Sequence, residues 1–386
     1  MKKQLTRIAS WMLLATMGQA GAFAQNIRID INQTYPEKNI NLQKVADVKY
    51  IPLETTDEVL FNGIVTNLSA EGIAGFNKKE GDILVFDGTG KAIASFNHTG
   101  QGPNEYNKIY HLDVDWKQKE VYVQDNFRQK IRIYGLDGRH LRTIDLQETM
   151  QQGDLYSFSD THLIYYAQPK SKPVTPYEPV TLLSKKDASK ATLPFTKTDD
   201  NLVKATGGPF GDMKMSAKNV NLLCKKGDEV YVNEVTADVI YRVESNHALT
   251  PVVERTPSYQ DASGQDFFLM LTGANARYYF FKRQQALLEF QGNAATDTKS
   301  TYVAYDRKEK QLLNPTFTNE DYPSQDIPMS KLLQCAGSAN RCYLQLEAFK
   351  LKEALAEGKL KGTLKSIAEK LDEEDNPVLM VVEFKK

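Results

Sequence analysis

At 386 residues, with 48 Lys plus Arg against 49 Asp plus Glu and a formal charge of −1, the chain has no concentrated basic surface to offer nucleic acid. Its hydrophobic content of 41%, with 17 Phe and 19 Tyr, is enough to fill a large core. Beyond the N-terminus no stretch stays apolar for the roughly 20 residues a membrane-spanning helix needs, so no transmembrane segment is expected in the mature chain.

Residues 1–24 read as a signal peptide. Lys2, Lys3 and Arg7 make a basic start, Ile8 to Met17 a short apolar stretch, and Ala22-Phe23-Ala24 a small-x-small cleavage site. Cleavage after Ala24 predicts an exported protein, periplasmic or secreted. The first cysteine is Cys224, which leaves no lipid-attachment residue at the cleavage point, so the protein is not expected to be a lipoprotein. Residues 25–386 then form a single domain.

The first strand expected includes Val48 to Leu53. After it, ILVFDGTGKAIASF (Ile83 to Phe96) lies over IRIYGLDGRHLRTI (Ile131 to Ile144) without a gap, 48 residues later. VYVQDNFRQKIRIY (Val121 to Tyr134) likewise resembles VYVNEVTADVIYRV (Val230 to Val243), about two periods on. Further short runs, rich in aromatic and β-branched residues and bounded by Gly, Asp and Asn, occur at His162 to Tyr166, Arg277 to Lys282 and Thr301 to Tyr305. Equivalent third strands fall near residues 83, 131, 180, 240 and 302. A period of about 50 residues built only from short strands predicts an all-β fold, a β-propeller. Five visible repeats plus one closing blade make six.

The chain's end supplies the closing strand. Val378 to Phe384 can pair with the Val48 to Leu53 region, so that both termini complete one blade and no sheet edge is left free. Between the repeats and that strand lie the only helical patterns, within about 346–372: Leu346 to Glu357, stopped by Gly358, and an amphipathic stretch with Leu360, Leu364, Ile367, Ala368 and Leu371 at helical spacing. These helices are expected on the rim of the ring.

KYIPLETT (Lys49 to Thr56), TGQGPNEY (Thr99 to Tyr106), LDVDWKQKEVYVQD (Leu112 to Asp125), KIRIYGLDG (Lys130 to Gly138) and DEEDNPVLMVVEFK (Asp372 to Lys385) together resemble the exported six-bladed β-propeller proteins of Bacteroidetes-type bacteria, which are related in architecture to NHL-repeat and TolB-like propellers. The resemblance spans almost the whole mature chain. It implies an envelope or secreted location and little about mechanism. Many of these relatives are lipoproteins, and this chain departs from them in lacking the lipid-attachment cysteine.

The chemistry-bearing residues are few. In the TGQGPNEY loop, Gly100 and Gly102 permit backbone conformations closed to other residues, Pro103 fixes a turn, and Glu105 and Tyr106 present a carboxylate and an amphipathic ring. Gln101, Gly102, Pro103, Glu105 and Tyr106, with Asp125, are therefore ligand-binding candidates; the alternative is a connection in which Glu105 and Tyr106 tie the first blade to the second. Asp113 and Asp115 alternate along one strand and so share a face, where they could hold a metal ion or do acid–base work, or else cap turns beside Trp116. His98, His111, His140, His162 and His247 are scattered and read as solvated or structural. Cys335 and Cys342 flank a turn-forming segment and are disulfide candidates, with two free thiols as the alternative, while Cys224 reads as a buried thiol. No nucleophile elbow, zinc-binding helix motif, P-loop or dinucleotide fingerprint is present, and no cofactor or catalytic residue is expected.

Two functions fit. The first is a non-enzymatic binding or scaffold propeller, monomeric, holding a peptide, glycan or protein partner on loops at one face of the ring. The second is a metal-dependent hydrolase or lyase acting on a sugar or lactone through Asp113, Asp115 or Asp125. Carboxylates and amides converging in the central channel would favour the enzyme, and an apolar, aromatic channel would favour binding.

Overall fold

The alternating apolar runs pair into antiparallel four-stranded meanders arranged as blades around an axis. A computed structural model describes residues 26–385, apart from 147–148, 169–175, 198–201, 207–212, 217–221, 228, 292–293, 296–298 and 330–340. Blade 1 contains Ile64–Leu68, Gly72–Phe76, Ile83–Asp87 and Ala92–Phe96, and blade 2 contains His111–Asp115, Glu120–Asp125, Lys130–Gly135 and His140–Asp145. Blade 3 contains Thr149–Ser157, His162–Gln168, Val180–Ser184 and Lys190–Thr192, and blade 4 contains Leu223–Lys226, Glu229–Val232, Val239–Val243 and Leu249–Thr256. Blade 5 is built from Phe267–Ala274, Tyr278–Gln285, Ser300–Asp306 and Gln311–Thr318. The strands expected near 83, 131, 180, 240 and 302 are the third strand of each of these blades. The sequence repeats are thus equivalent hairpins of neighbouring blades.

Blade 6 closes the ring from both ends of the chain. Arg341–Leu346 pairs with Val378–Phe384, which pairs in turn with Ala46–Pro52 in the register Val48↔Val382 and Tyr50↔Met380. The late apolar run VLMVVEF is buried at every position but one, because it sits between two strands and beneath neighbouring blades. Phe384 meets Tyr278 of blade 5 edge-on at 5.4 Å, within a cluster that includes Phe280 and Phe317.

Two features were not legible in the repeats. Ile27–Asp30 runs parallel to the outer strand of blade 4, and Glu37–Asn41 runs parallel to that of blade 5. The alternation in IRID explains the first: Ile27 and Ile29 are buried, while Arg28 faces out and pairs with Glu254 at 3.2 Å. Both strands cover edges that would otherwise invite intermolecular pairing. In addition, Leu202–Thr206 with Met213–Ser216, from the connection between blades 3 and 4, joins Leu287–Gln291 with Ala294–Ala295, from an insertion in blade 5, as a separate small sheet.

Besides one helical turn at Leu42–Val45, two helices form the insertion, Ala348–Ala356 and Gly362–Ala368, slightly shorter than the sequence pattern because Leu346 still belongs to its strand. Gly358 terminates the first with φ of +69°, a conformation that suits glycine. Leu360, Leu364, Ala368 and Leu371 are buried against Val378, as their spacing predicted. Strand direction assigns the two faces of the ring. The two helices of the insertion, the small sheet and the connections between blades lie at the end where first strands begin; the short turns joining first to second strands lie at the other.

Candidate functional site

The innermost strands carry polar residues into the axis, and the short-turn face opens there into a cavity of about 680 Å³. Blade 1 contributes Asn67 and Glu71 to its wall, blade 2 Asp115 and Trp116, blade 4 Lys225 and blade 6 Arg341. Blade 3 adds Ser157 and Phe158.

An ion-pair ladder adjoins the cavity through Asp115 and Lys225. Asp113 and Asp115 do share a face of their strand, as the LDVDW alternation predicted, but each is met by a lysine from another blade. Lys225 Nζ lies 2.8 Å from Asp113 Oδ2, and Lys185 Nζ lies 2.6 Å from Asp115 Oδ2. Asp113 also accepts from the Asn67 side-chain amide at 2.8 Å and from the Ser157 backbone N–H at 2.7 Å, so both of its oxygens are engaged. Asp115 accepts from the Gln118 N–H at 3.0 Å. Burial raises the Asp113 carboxyl, yet the charge and hydrogen bond of Lys225 outweigh it and hold the group below the usual carboxylate range. Asp115 is held low in the same way, against burial, by Lys185. Burial in turn pulls Lys185 below the ordinary lysine value. Lys185 also sits 5.3 Å from the centre of the Tyr122 ring.

Two residues before Asp113 on the same strand, the His111 imidazole packs edge-on against Tyr156 at 5.1 Å, and among the described residues its buried Nε2 has no hydrogen-bond partner. Burial, joined by the nearby Lys225 charge, pushes its pKa down to about 4, so the ring is neutral at physiological pH. Trp116 is held rather than free. Its indole N–H donates to Asn67 Oδ1 at 2.6 Å, and its six-membered ring lies over Gly72, where a Cβ would come within 2.5 Å of Cη2.

The TGQGPNEY loop is on the opposite face and acts as a tie between blades 1 and 2. Tyr106 is fully buried; its hydroxyl donates to Gly81 O at 2.7 Å and accepts from the His98 N–H at 3.0 Å. Glu105 turns back onto its own loop and accepts from the Gly102 N–H at 2.6 Å. Arg128 then clamps the loop, donating to Gly102 O, Gly100 O and the Gln101 side chain at 3.1, 3.1 and 2.8 Å. Asp125, completely buried, pairs with the buried Arg132 at 3.0 Å and accepts from the Asn107 N–H. Glu105 through one carboxylate oxygen, the Tyr106 hydroxyl and Asp125 are thus engaged within the protein, which is the geometry of the inter-blade alternative. Pro103 and Gln101 shape the same loop, and the loop does not border the axial cavity.

Of the cysteines, Cys224 is buried with Sγ donating to Leu271 O at 3.3 Å, Cys342 is buried in blade 6, and Cys335 lies outside the described residues. Sequence reasoning named Asp113 and Asp115 but missed their partners. The signal was present: LLSKKD and LLCKKG each place a lysine directly after an apolar strand run, and both strands end at the same face of the ring.

Six blades closed by strands from both termini around an axial cavity define a six-bladed β-propeller. Within that class the chain belongs to the family described as a domain of unknown function, DUF4934, whose model matches residues 26–383. No curated protein matches the chain. Among the solved structures that match are two that share its fold along most of the chain. One, a presumed exported protein of Bacteroides fragilis NCTC 9343, is 15% identical with a TM-score of 0.61, covering 92% of this chain and 100% of its own. The other, a member of the DUF4221 family from Bacteroides vulgatus ATCC 8482, is 9% identical with a TM-score of 0.51, covering 89% and 98%.

Proposed function

We propose that the protein is a non-enzymatic binding propeller of the exported compartment and that its ligand enters the axial cavity on the short-turn face. The observation that carries this reading is the lysine lock on the channel carboxylates. Asn67, Asp113 and Asp115 do converge in the channel, which taken alone would favour catalysis. But a general base needs a free lone pair aimed at substrate, and a divalent cation would have to displace an ammonium from each carboxylate. Among the described residues no group of three or more His, Cys, Asp or Glu is placed to hold a metal ion. A rigid ring with a polar and aromatic cavity suits recognition.

Export is supported by the leader-like residues 1–24 and by the description of the Bacteroides fragilis neighbour as exported. No helix among the described residues is long and apolar enough to cross a membrane. Cleavage after Ala24 without lipid attachment, into periplasm or medium, completes the proposal.

The test is elemental analysis of the purified protein together with thermal melts in calcium and in EDTA, since a specifically bound ion raises the melting temperature by mass action. No stoichiometric ion and no shift are expected. A stoichiometric ion with a shift of several degrees would instead support the metal-dependent hydrolase or lyase.

A further inference from the structure

We infer that the axial cavity takes a neutral saccharide, seated with a sugar face on Trp116 and its hydroxyl and ring oxygens toward Lys225 and Arg341; the inference rests on the binding function proposed above. Three observations lead to it.

Lys225 and Arg341 bring to the wall hydrogen-bond donors with capacity to spare. Lys225 has three N–H bonds, and among the described residues its one partner is Asp113. Among the described residues Arg341 commits only its Nε–H, to Glu383 at 3.1 Å, which leaves the terminal nitrogens of the guanidinium to the cavity. Of the neutral acceptors in the wall, Ser157 and Asn67 are occupied, and the Glu71 carboxylate is left to accept from ligand hydroxyls. Ser157 Oγ accepts from Lys185 at 2.8 Å, and Asn67 serves both Asp113 and Trp116. The cavity therefore calls for a ligand rich in oxygen acceptors.

Those donors carry no net positive field. Lys225 is matched by Asp113, Arg341 by Glu383 and Lys117 by Asp160, and Glu71 adds a further negative charge to the wall. An oxyanion gains little from such a compensated lining and meets Glu71 in addition, whereas neutral hydroxyl and ether oxygens accept from fixed N–H groups without a charge penalty.

The apolar part of the wall is flat and pre-set. Trp116 is fixed by its bond to Asn67 and by the missing side chain at Gly72, and Phe158 stands in the same wall. A rigid indole supplies contact area at low entropic cost and offers a π face to C–H bonds, the complement of a pyranose face. A peptide would instead call for an unpaired strand edge or for pockets shaped to its side chains.

The sequence provides its own reporter, because Trp11 and Trp116 are its only tryptophans. In the full chain carrying Trp11→Phe, all indole fluorescence comes from the cavity wall. Titration with neutral xylo-, manno-, cello- and malto-oligosaccharides of four to six units, with oligogalacturonates, and with a mixed pool of tri- and tetrapeptides separates the alternatives. The expected result is a saturable emission change with at least one neutral series, weakened tenfold or more by Arg341→Gln. Lys225→Met should abolish it, but that variant strands the Asp113 charge, so Arg341→Gln, at a partly exposed position, keeps the test decisive if Lys225→Met does not fold. Response to oligogalacturonates or peptides alone would overturn the saccharide assignment and leave the cavity as a binding site. No response to any probe would overturn both. A neutral-sugar response unaffected by Arg341→Gln would overturn the donor arrangement.

Discussion

Asn376 shows how much of the closure a single side chain can hold. Buried in the loop that leads into the last strand, it accepts from the Phe61 N–H at 2.7 Å and donates to Glu54 O and Val59 O at 2.7 and 2.8 Å. Its amide is fully matched, and it binds the end of the chain to the passage from blade 6 to blade 1. Asn376→Ala leaves the buried Phe61 N–H and the part-buried Glu54 O without this partner and Val59 O with only the Thr56 N–H, at about 1–3 kcal/mol for each group that water does not reach; a melting temperature lowered by several degrees is expected in calorimetry, and an unchanged one would remove Asn376 from the closure.

His111 makes a prediction of opposite character. Its folded pKa of about 4 lies below the ordinary value of 6.5, so as pH falls the unfolded chain takes up a proton that the folded one refuses. Stability is therefore expected to decline from about pH 6.5 down to pH 4, by about 3 kcal/mol in all. His140, lowered chiefly by burial, acts in the same direction. Asp113 and Asp115 contribute only at lower pH, because their stabilisation is present above the ordinary carboxylate value and is lost below it. Urea denaturation at pH 7, 6, 5 and 4 should show the slope flattened in His111→Phe; an equal slope in the variant would contradict the burial of a neutral ring.

Among the elements, the helical insertion was legible and the outer strands were not, for a physical reason. Leu364 and Ala368 share one face of the helix Gly362–Ala368, and Leu360 and Leu371, just beyond its ends, continue the same spacing in the cluster that includes Val378; such periodicity survives in any single sequence. Glu37–Asn41 has just one fully buried residue, Ile40, and its place is set by backbone pairing with blade 5, which leaves no pattern in the side chains. The small sheet is equally quiet, being assembled from two insertions whose paired residues are 83 apart and meet in parallel at Lys204↔Leu287 and Thr206↔Glu289. Leu364→Ala, at a site with no exposure, should cost about 2–5 kcal/mol. If the helices pack as described, the loss appears in the global melt; an early separate transition would mean that they fold apart from the ring.

For the whole molecule, the ring and its closure could be read from repeats spaced near 50 residues, since each blade must bury the same faces. The site could be read only in part. Asp113 and Asp115 stood out by alternation, yet their character depends on Lys225 and Lys185, 112 and 70 residues away, which only the closed ring brings to the axis. The TGQGPNEY loop drew attention for the same glycines that serve its packing: a Cβ at Gly100 would lie 2.0 Å from Glu105 Oε2.

Because the reading as a binding propeller rests on the lysine lock, the most direct measurement is a double-mutant cycle on Asp113→Asn and Lys225→Met by equilibrium denaturation. Each single change should cost roughly 2–4 kcal/mol, below the upper range for buried pairs because Lys225 keeps some contact with water, and the double variant should recover at least 1 kcal/mol of the summed loss. A single Asp113→Asn variant more stable than the parent would contradict the lock, since a carboxylate kept at the expense of stability marks a working catalytic or metal-binding group.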